Sequence, residues 1–296
     1  MDGFLNILKP PGMSSHDVVA FVRKLSRAKT GHTGTLDPAA AGVLVLALGK
    51  GTRLASFITD STKVYRSELK LGQATTTGDA EGDPAGSGPV PPLDSEKVQA
   101  VFKSFTGPVK QKPPMHSALH HQGIRLYKLA RRGLDVERPA REITIHELEL
   151  VDIKKESQTL LFDVTCSKGT YIRVLCEDLA RSLGTVGHMS FLVRRGSGPF
   201  TLEGTCTLED LERGGGKNLE EKLYPLDYPL QELPALPLTA GEGKRISHGN
   251  PVILTETGGA YREGPVRIYC QERFIALGRV VKEEGQLKVK PDKVLL

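Results

Sequence analysis

The run "GVLVLAL", residues 42–48, limits the possible folds more than any other stretch. Every position from Val43 onward is apolar, whereas a strand with one wet face would alternate, so the run reads as a buried strand. Directly before it stands its opposite. "GHTGTLDPAA" is small and polar, kinked by Gly31, Gly34 and Pro38, and carries one carboxylate, Asp37, with no second acid or cysteine nearby in sequence. "KVYRSELKLG" does alternate, with Tyr65, Ser67, Leu69 and Leu71 on one face and Arg66, Glu68 and Lys70 on the other. "FLNIL" and "SFLVRR" predict further strands, and "ITIHELELVDI" and "QTLLFDVTC" predict an antiparallel pair.

Helices are expected between these strands. "SSHDVVAFVRKLSRA" offers Ser14 or Ser15 as N-cap and places Val18, Phe21, Val22 and Leu25 on one face. "DSEKVQAVFKSF" turns Val98, Val101, Phe102 and Phe105 inward; "TRLASFI", "RLYKLARRG" and "TYIRVLCEDLARSLG" complete the set. "TTTGDAEGDPAGSGPVPP" reads as a polar connection, and "TGPVKQKPP" as too proline-rich for regular structure. Mixed elements without a regular βαβ period predict an α+β fold.

A chain of 296 residues suits one large domain and one small one. Near Tyr224, "YPLDYPLQELPALPL" reads as a proline-punctuated linker, which divides the chain into residues 1–225 and 234–296. The second part, with a short helix and the strands "PVRIYC", "FIALGRVV" and "LKVKP", has room only for a small, mostly β module. The net charge of +5 decides little, but nine Lys/Arg against two acidic residues fall between Lys103 and Arg141. Such concentration is the footprint of a phosphate-backbone reader, and also of an ordinary solvated loop. Four cysteines without CxxC spacing predict a reduced, cytoplasmic protein. No stretch approaches the roughly 18 apolar residues of a membrane span.

"ALGKGT" fails as a phosphate loop, because no glycine stands five residues before Gly49 and Gly51 replaces the hydroxyl residue after Lys50. His116, His120 and His121 lack the Cys or acid that would complete a metal ligand set. Asp37 has two readings. An Asp before Pro caps turns, and a lone carboxylate can also act as a nucleophile in glycosidic-bond chemistry. In an apolar pocket the second role needs a cation, and "KGTYIRVLCEDLA" supplies Arg173 beside Tyr171 at a helix start. Tyr65 could offer an aromatic platform to a base, although buried tyrosines more often simply pack.

Taken together, "GHTGTLDPAAAGVLVLALGKGTRL", "KVYRSELKLGQATTTGDAEGD" and "SKGTYIRVLCEDLA" closely resemble the bacterial tRNA pseudouridine synthase B family, which isomerises uridine 55 in the TΨC arm. "NILKPPGMSSHDVV" and "PPMHSALHHQGIRLYKLARRG" add to the likeness, which runs from about Phe4 to Pro199. The resemblance implies a mixed, mainly antiparallel sheet flanked by helices, an RNA-clasping insertion at about 107–141, and a C-terminal PUA-like RNA-binding module. It implies Asp37 as nucleophile, Arg173 as its partner, Tyr171 beside the uracil ring and Tyr65 stacked on the flipped base. His32 would contact the substrate and help hold the arm open, Leu192 would line the floor, and Lys9 would support the loop. One departure stands out. Where the family usually shows Pro-Pro-x-Tyr-Ser-Ala-x-Lys, this chain has His116 for the tyrosine and His120 for the lysine. The implied enzyme is a monomer acting on tRNA without cofactor, metal, guide RNA or protein partner. The alternatives are a non-catalytic RNA-binding or tRNA-folding protein on the same scaffold, a guide-dependent synthase, and a metal hydrolase built on His32 and Asp37, which lacks further ligands.

Overall fold

A computed structural model describes residues 1–254 and 261–296. Strand β1 (Gly3–Lys9) is followed by helix α1 (Ser15–Ser26). Ser14 is its N-cap: the Ser14 hydroxyl accepts from the Asp17 amide, and the Asp17 carboxylate accepts from the Ser14 amide. β2 (Thr30–His32), the Asp37 loop and β3 (Ala41–Leu48) come next, then a 3-10 turn over Gly49–Arg53 and helix α2 (Ala55–Thr59). The long β4 (Lys63–Leu71) leads into a small hairpin of β5 (Gln73–Thr75) and β6 (Pro84–Ser87). Helix α3 (Ser95–Ser104) is capped by Asp94. β7 (Gly107–Gln111), the short strands β8 (His120–His121) and β9 (Ile124–Arg125), and helix α4 (Leu126–Ala130) make up the basic stretch. β10 (Arg141–Lys154), β11 (Thr159–Cys166), helix α5 (Ile172–Ser182), β12 (Gly187–Ser197), β13 (Phe200–Thr201) and helix α6 (Leu208–Glu221) close the larger part.

Nine of these strands form one sheet in the order β1-β3-β12-β4-β11-β10-β7, with β2 added to β3 and β13 to β12, while β5–β6 and β8–β9 pair separately. All its pairings are antiparallel except β3 with β12. The apolar run in β3 now has its reason. Leu44, Leu46 and Leu48 pack in the core shared with α1, α3, α5 and α6, while Val43, Val45 and Ala47 pack on the other face against Leu54, Ile58 and Phe200. Gly42 marks the parallel crossing: its φ is +108°, and a Cβ there would lie 2.2 Å from the Arg194 carbonyl oxygen.

The C-terminal part is a five-stranded sheet, β14 (Ala235–Leu238), β15 (Val252–Ile253), β16 (Gly264–Cys270), β17 (Arg273–Glu283) and β18 (Gln286–Val294), ordered β14-β16-β17-β18-β15. Helix α7 (Ala240–Ser247) covers a core of its own around Ile246, Ile268 and Val280. Leu277 and Leu295 of this module pack with Leu54 and Ile58 of the larger part. The chain is therefore α+β, with helices on the mixed sheet and a small β module behind it. Among the described residues no helix is long and apolar enough to cross a membrane.

Four local expectations change. "TGPVKQKPP" contains the regular strand β7, because an edge strand, paired only with β10, tolerates Pro108. The "TTTGDAEGD" connection holds the β5–β6 hairpin. The linker is largely packed: Tyr224 exchanges main-chain hydrogen bonds with Phe4, and Ala235–Leu238 is already strand β14. Helix α6 was not expected, and its Thr207 capping box is its only clear local signal.

Candidate active site

Asp37 lies on the loop between β2 and β3, where three buried side chains hold the main chain. Ser15 Oγ accepts from the Leu36 amide at 2.8 Å and donates to the Leu36 carbonyl at 2.9 Å. Lys9 Nζ donates to the carbonyls of Pro38 at 3.1 Å and Ala40 at 2.7 Å. Arg194 donates to Val43, Thr35 and Gly34 at 2.7, 3.3 and 3.0 Å. A loop beside an apolar core leaves carbonyls that no strand can satisfy, and these donors satisfy them. Burial lowers the Lys9 pKa to about 8, an effect partly offset by the charge of Asp37.

The Asp37 carboxylate reaches a second element. Its Oδ2 lies 3.0 Å from Arg173 Nε, on the first turn of α5. Arg173 is 6% exposed in its side chain and Asp37 36%, so the guanidinium is sealed while one side of the acid stays open. Arg173 also donates to the Thr77 carbonyl at 2.9 Å and the His116 carbonyl at 2.8 Å. Asp79, 10% exposed, approaches the same Nε at 3.6 Å. A second carboxylate, distant in sequence, thus shares the arginine. It sits in the stretch read as a polar connection, and only the fold brings it there.

Asp37 and Arg173 border a cavity of about 640 Å³, together with Tyr65, Tyr171, Leu192 and His116. Tyr65, from β4, and Leu192, from β12, are 8% and 7% exposed. Burial pushes both the Tyr65 and Tyr171 phenols up, so each stays protonated at neutral pH. Arg173 Nη2 also approaches Asp37 Oδ1 at 3.5 Å, so the guanidinium meets both oxygens. The result is a largely apolar, aromatic slot with the part-exposed Asp37 carboxylate at its wall, fit for a flat ring and one nucleophilic step.

Of the seven residues singled out from sequence, five line this cavity: Asp37, Tyr65, Tyr171, Arg173 and Leu192. Lys9 lies beneath the loop, fully buried. His32 stands apart from the lining, its ring edge-on to His16 at 5.3 Å. Burial lowers its pKa to about 4, with His16 and Arg194 adding to the effect, so the imidazole is neutral. His116 lines the cavity and His120 lies exposed on β8. Sequence reading missed Ser15, Asp79, Gln111 and Arg194. The first is masked by its role as a candidate cap; the others are polar residues on strands and loops whose partners lie 60 to 160 residues away.

The chain matches the description "TruB family pseudouridylate synthase (N terminal domain)" over residues 22–172. It matches "tRNA pseudouridylate synthase B C-terminal domain" over 173–231 and "Pseudouridine synthase II TruB, C-terminal" over 234–295. A protein named tRNA pseudouridine synthase B from Alkaliphilus oremlandii is 44% identical over 292 residues, covering 97% of this chain and 96% of that one. Its namesake from Geobacillus kaustophilus is 46% identical over 256 residues, covering 84% and 90%. The structure titled "Crystal Structure of a Cbf5-Nop10-Gar1 Complex" superposes with a TM-score of 0.74 at 29% identity, covering 99% of this chain and 85% of its match. An acid–arginine pair in an aromatic slot, on a frame that matches along its whole length, leaves one conclusion: the chain belongs to the TruB family of pseudouridylate synthases.

Proposed function

We propose that this protein isomerises uridine 55 in the TΨC arm of tRNA to pseudouridine, with Asp37 as the nucleophile and the target base flipped out of the arm. The carrying observation is the 3.0 Å contact between Asp37 and the sealed guanidinium of Arg173 at the wall of the cavity. In this reading Arg173 aims the acid and offsets the cost of desolvating its charge. Tyr65 stacks on the base, Tyr171 borders the ring, Leu192 forms the floor, Lys9 braces the loop and His32 meets the RNA outside the slot.

The chemistry follows from the groups present. The N1–C1′ bond breaks, the uracil turns within the slot, and C5 bonds to C1′. C5 gives up its proton and N1 regains one, so atoms and electrons balance without a redox partner. Asp37 starts the process either by adding to the ring or by trapping C1′ as uracil leaves. A dry slot keeps the freed base from escaping. Flipping costs a few kcal/mol, which phosphate contacts from the basic insertion offset. Recognition then rests on the folded shape of the arm more than on base edges. The protein works as a cytoplasmic monomer without guide RNA or protein partner.

The solved relative titled "Structure of H/ACA RNP bound to a substrate RNA containing 2'-deoxyuridine" favours a second reading, in which a guide selects the RNA. One experiment separates the two. Purified protein is incubated with an unmodified tRNA transcript in EDTA, and pseudouridine is mapped. Product at position 55 without a guide, abolished by Asp37→Asn, is expected. Retained binding with no product would favour a non-catalytic role, and product only with added guide would favour the second reading.

A further inference from the structure

Two buried side chains make the same unusual contact, one on each half of the Asp37–Arg173 pair. Ser15 Oγ bonds both the N–H and the C=O of Leu36, the residue before Asp37. Gln111 does likewise to Tyr171, two residues before Arg173: its Oε1 accepts from the Tyr171 amide at 2.8 Å and its Nε2 donates to the Tyr171 carbonyl at 3.0 Å. Only one orientation of the amide satisfies both bonds. Ser15 is 1% exposed and Gln111 3%, so no water substitutes easily for either.

At neither target does regular secondary structure hold both main-chain groups, although the Tyr171 carbonyl also accepts the first bond of α5, from the Leu175 amide at 3.1 Å. Leu36 lies in a loop, and Tyr171 is an N-cap whose helix has no side-chain cap. A single side chain that takes both polar groups of one residue fixes the orientation of that peptide much as a strand partner would. Rotation at Leu36 would swing the Asp37 carboxylate, and rotation at Tyr171 would swing the first turn of α5 and with it Arg173. Gln111 ends β7, and five residues later the His116 carbonyl accepts from Arg173. The basic insertion is therefore tied to α5 at two points.

We infer that Ser15 and Gln111 are positioning residues, a pair of main-chain clamps that set Asp37 and Arg173 in register for the reaction. This inference rests on the reading of Asp37 as nucleophile. Ser15 lies outside the cavity lining, and Gln111, which borders the cavity, has both amide atoms bonded to Tyr171, so their loss lowers turnover and leaves the grip on RNA intact.

The test measures kcat, KM, RNA affinity and melting temperature for Ser15→Ala, Gln111→Met and Gln111→Glu, using a tRNA transcript well below each melting point. Ser15→Ala and Gln111→Met should each lower kcat roughly 10- to 100-fold, with the RNA Kd within about twofold. Gln111→Glu, which keeps the acceptor but sets a carboxylate oxygen against the Tyr171 carbonyl, should lower kcat at least as much as Gln111→Met. If an apolar variant does not fold, Gln111→Glu carries the test, and less than about a threefold loss of kcat per folded molecule overturns the inference. Parental kcat in all folded variants, or a loss confined to Kd, also overturns it. Asp37→Asn is run alongside. If it still makes product, the nucleophile reading fails; if it is inactive while the clamp variants turn over at the parental rate, only this inference fails.

Discussion

The Asp37 loop and the outer part of the basic insertion, residues 118–138, border the same cavity and are held in opposite ways. Ser15, Lys9 and Arg194, none more than 2% exposed, tie down the loop's main chain on both sides of Asp37. The insertion folds around two buried leucines, Leu126 and Leu129, a hairpin of two-residue strands and a five-residue helix. Its Ile124 and Leu134 are 41% and 52% exposed, and Asp135 of its Arg138–Asp135 ion pair is 76% exposed in its side chain. Under the proposed function, the difference follows from what each must do. A reacting carboxylate loses rate when displaced by an ångström. Phosphate contacts are long-ranged and tolerate a surface that adjusts.

The sharpest break on the fixed side is Asp37→Asn. Turnover should fall by more than roughly 10³-fold, while RNA affinity stays within about threefold, measured by single-turnover product formation and filter binding. Arg194→Met comes next. It leaves the carbonyls of Gly34, Thr35 and Val43 without their donor and should cost about 3 kcal/mol in a urea melt. Arg194 makes no ion pair among the described residues, so no carboxylate is stranded by the change.

His32, at the entry to the loop, gives a smaller effect with a defined sign. Its folded pKa of about 4 lies below the 6.5 of the free side chain, so between those values the unfolded chain takes up a proton that the folded chain refuses. Stability should therefore fall on acidification from pH 6.5 towards 4 and level off below. His32→Gln should remove on the order of 2 kcal/mol of that slope, read by denaturant melts at stepped pH. The adaptable side should respond least. Lys128→Ala combined with Arg131→Ala should weaken RNA binding about tenfold near 0.15 M salt and flatten its salt dependence by up to about two units, with kcat unchanged. A large loss of kcat there would erase the contrast between the two regions.

Much of this was legible before the fold was known. The continuous run at 42–48 requires burial on both faces, and β3 has it. The alternation at 63–71 places Tyr65 and Leu69 inward, and the serine before α1 caps it. β7 was not legible, because proline argues against a strand unless that strand lies at an edge, and edge position is set by sheet order. Asp79 was hidden for a similar reason: a glycine-rich turn gives no sign of which arginine it will meet.

Hydrophobic periodicity and capping are written in neighbouring residues, so the sequence alone determined the long strands, most helices and the small set of polar residues able to carry the chemistry. The partners of those residues were decided only when the chain closed. Arg173 meets Asp37 across 136 positions and Arg194 meets Gly34 across 160. Contacts of that span depend on strand order and register, which the packing of the whole sheet selects and no local pattern encodes.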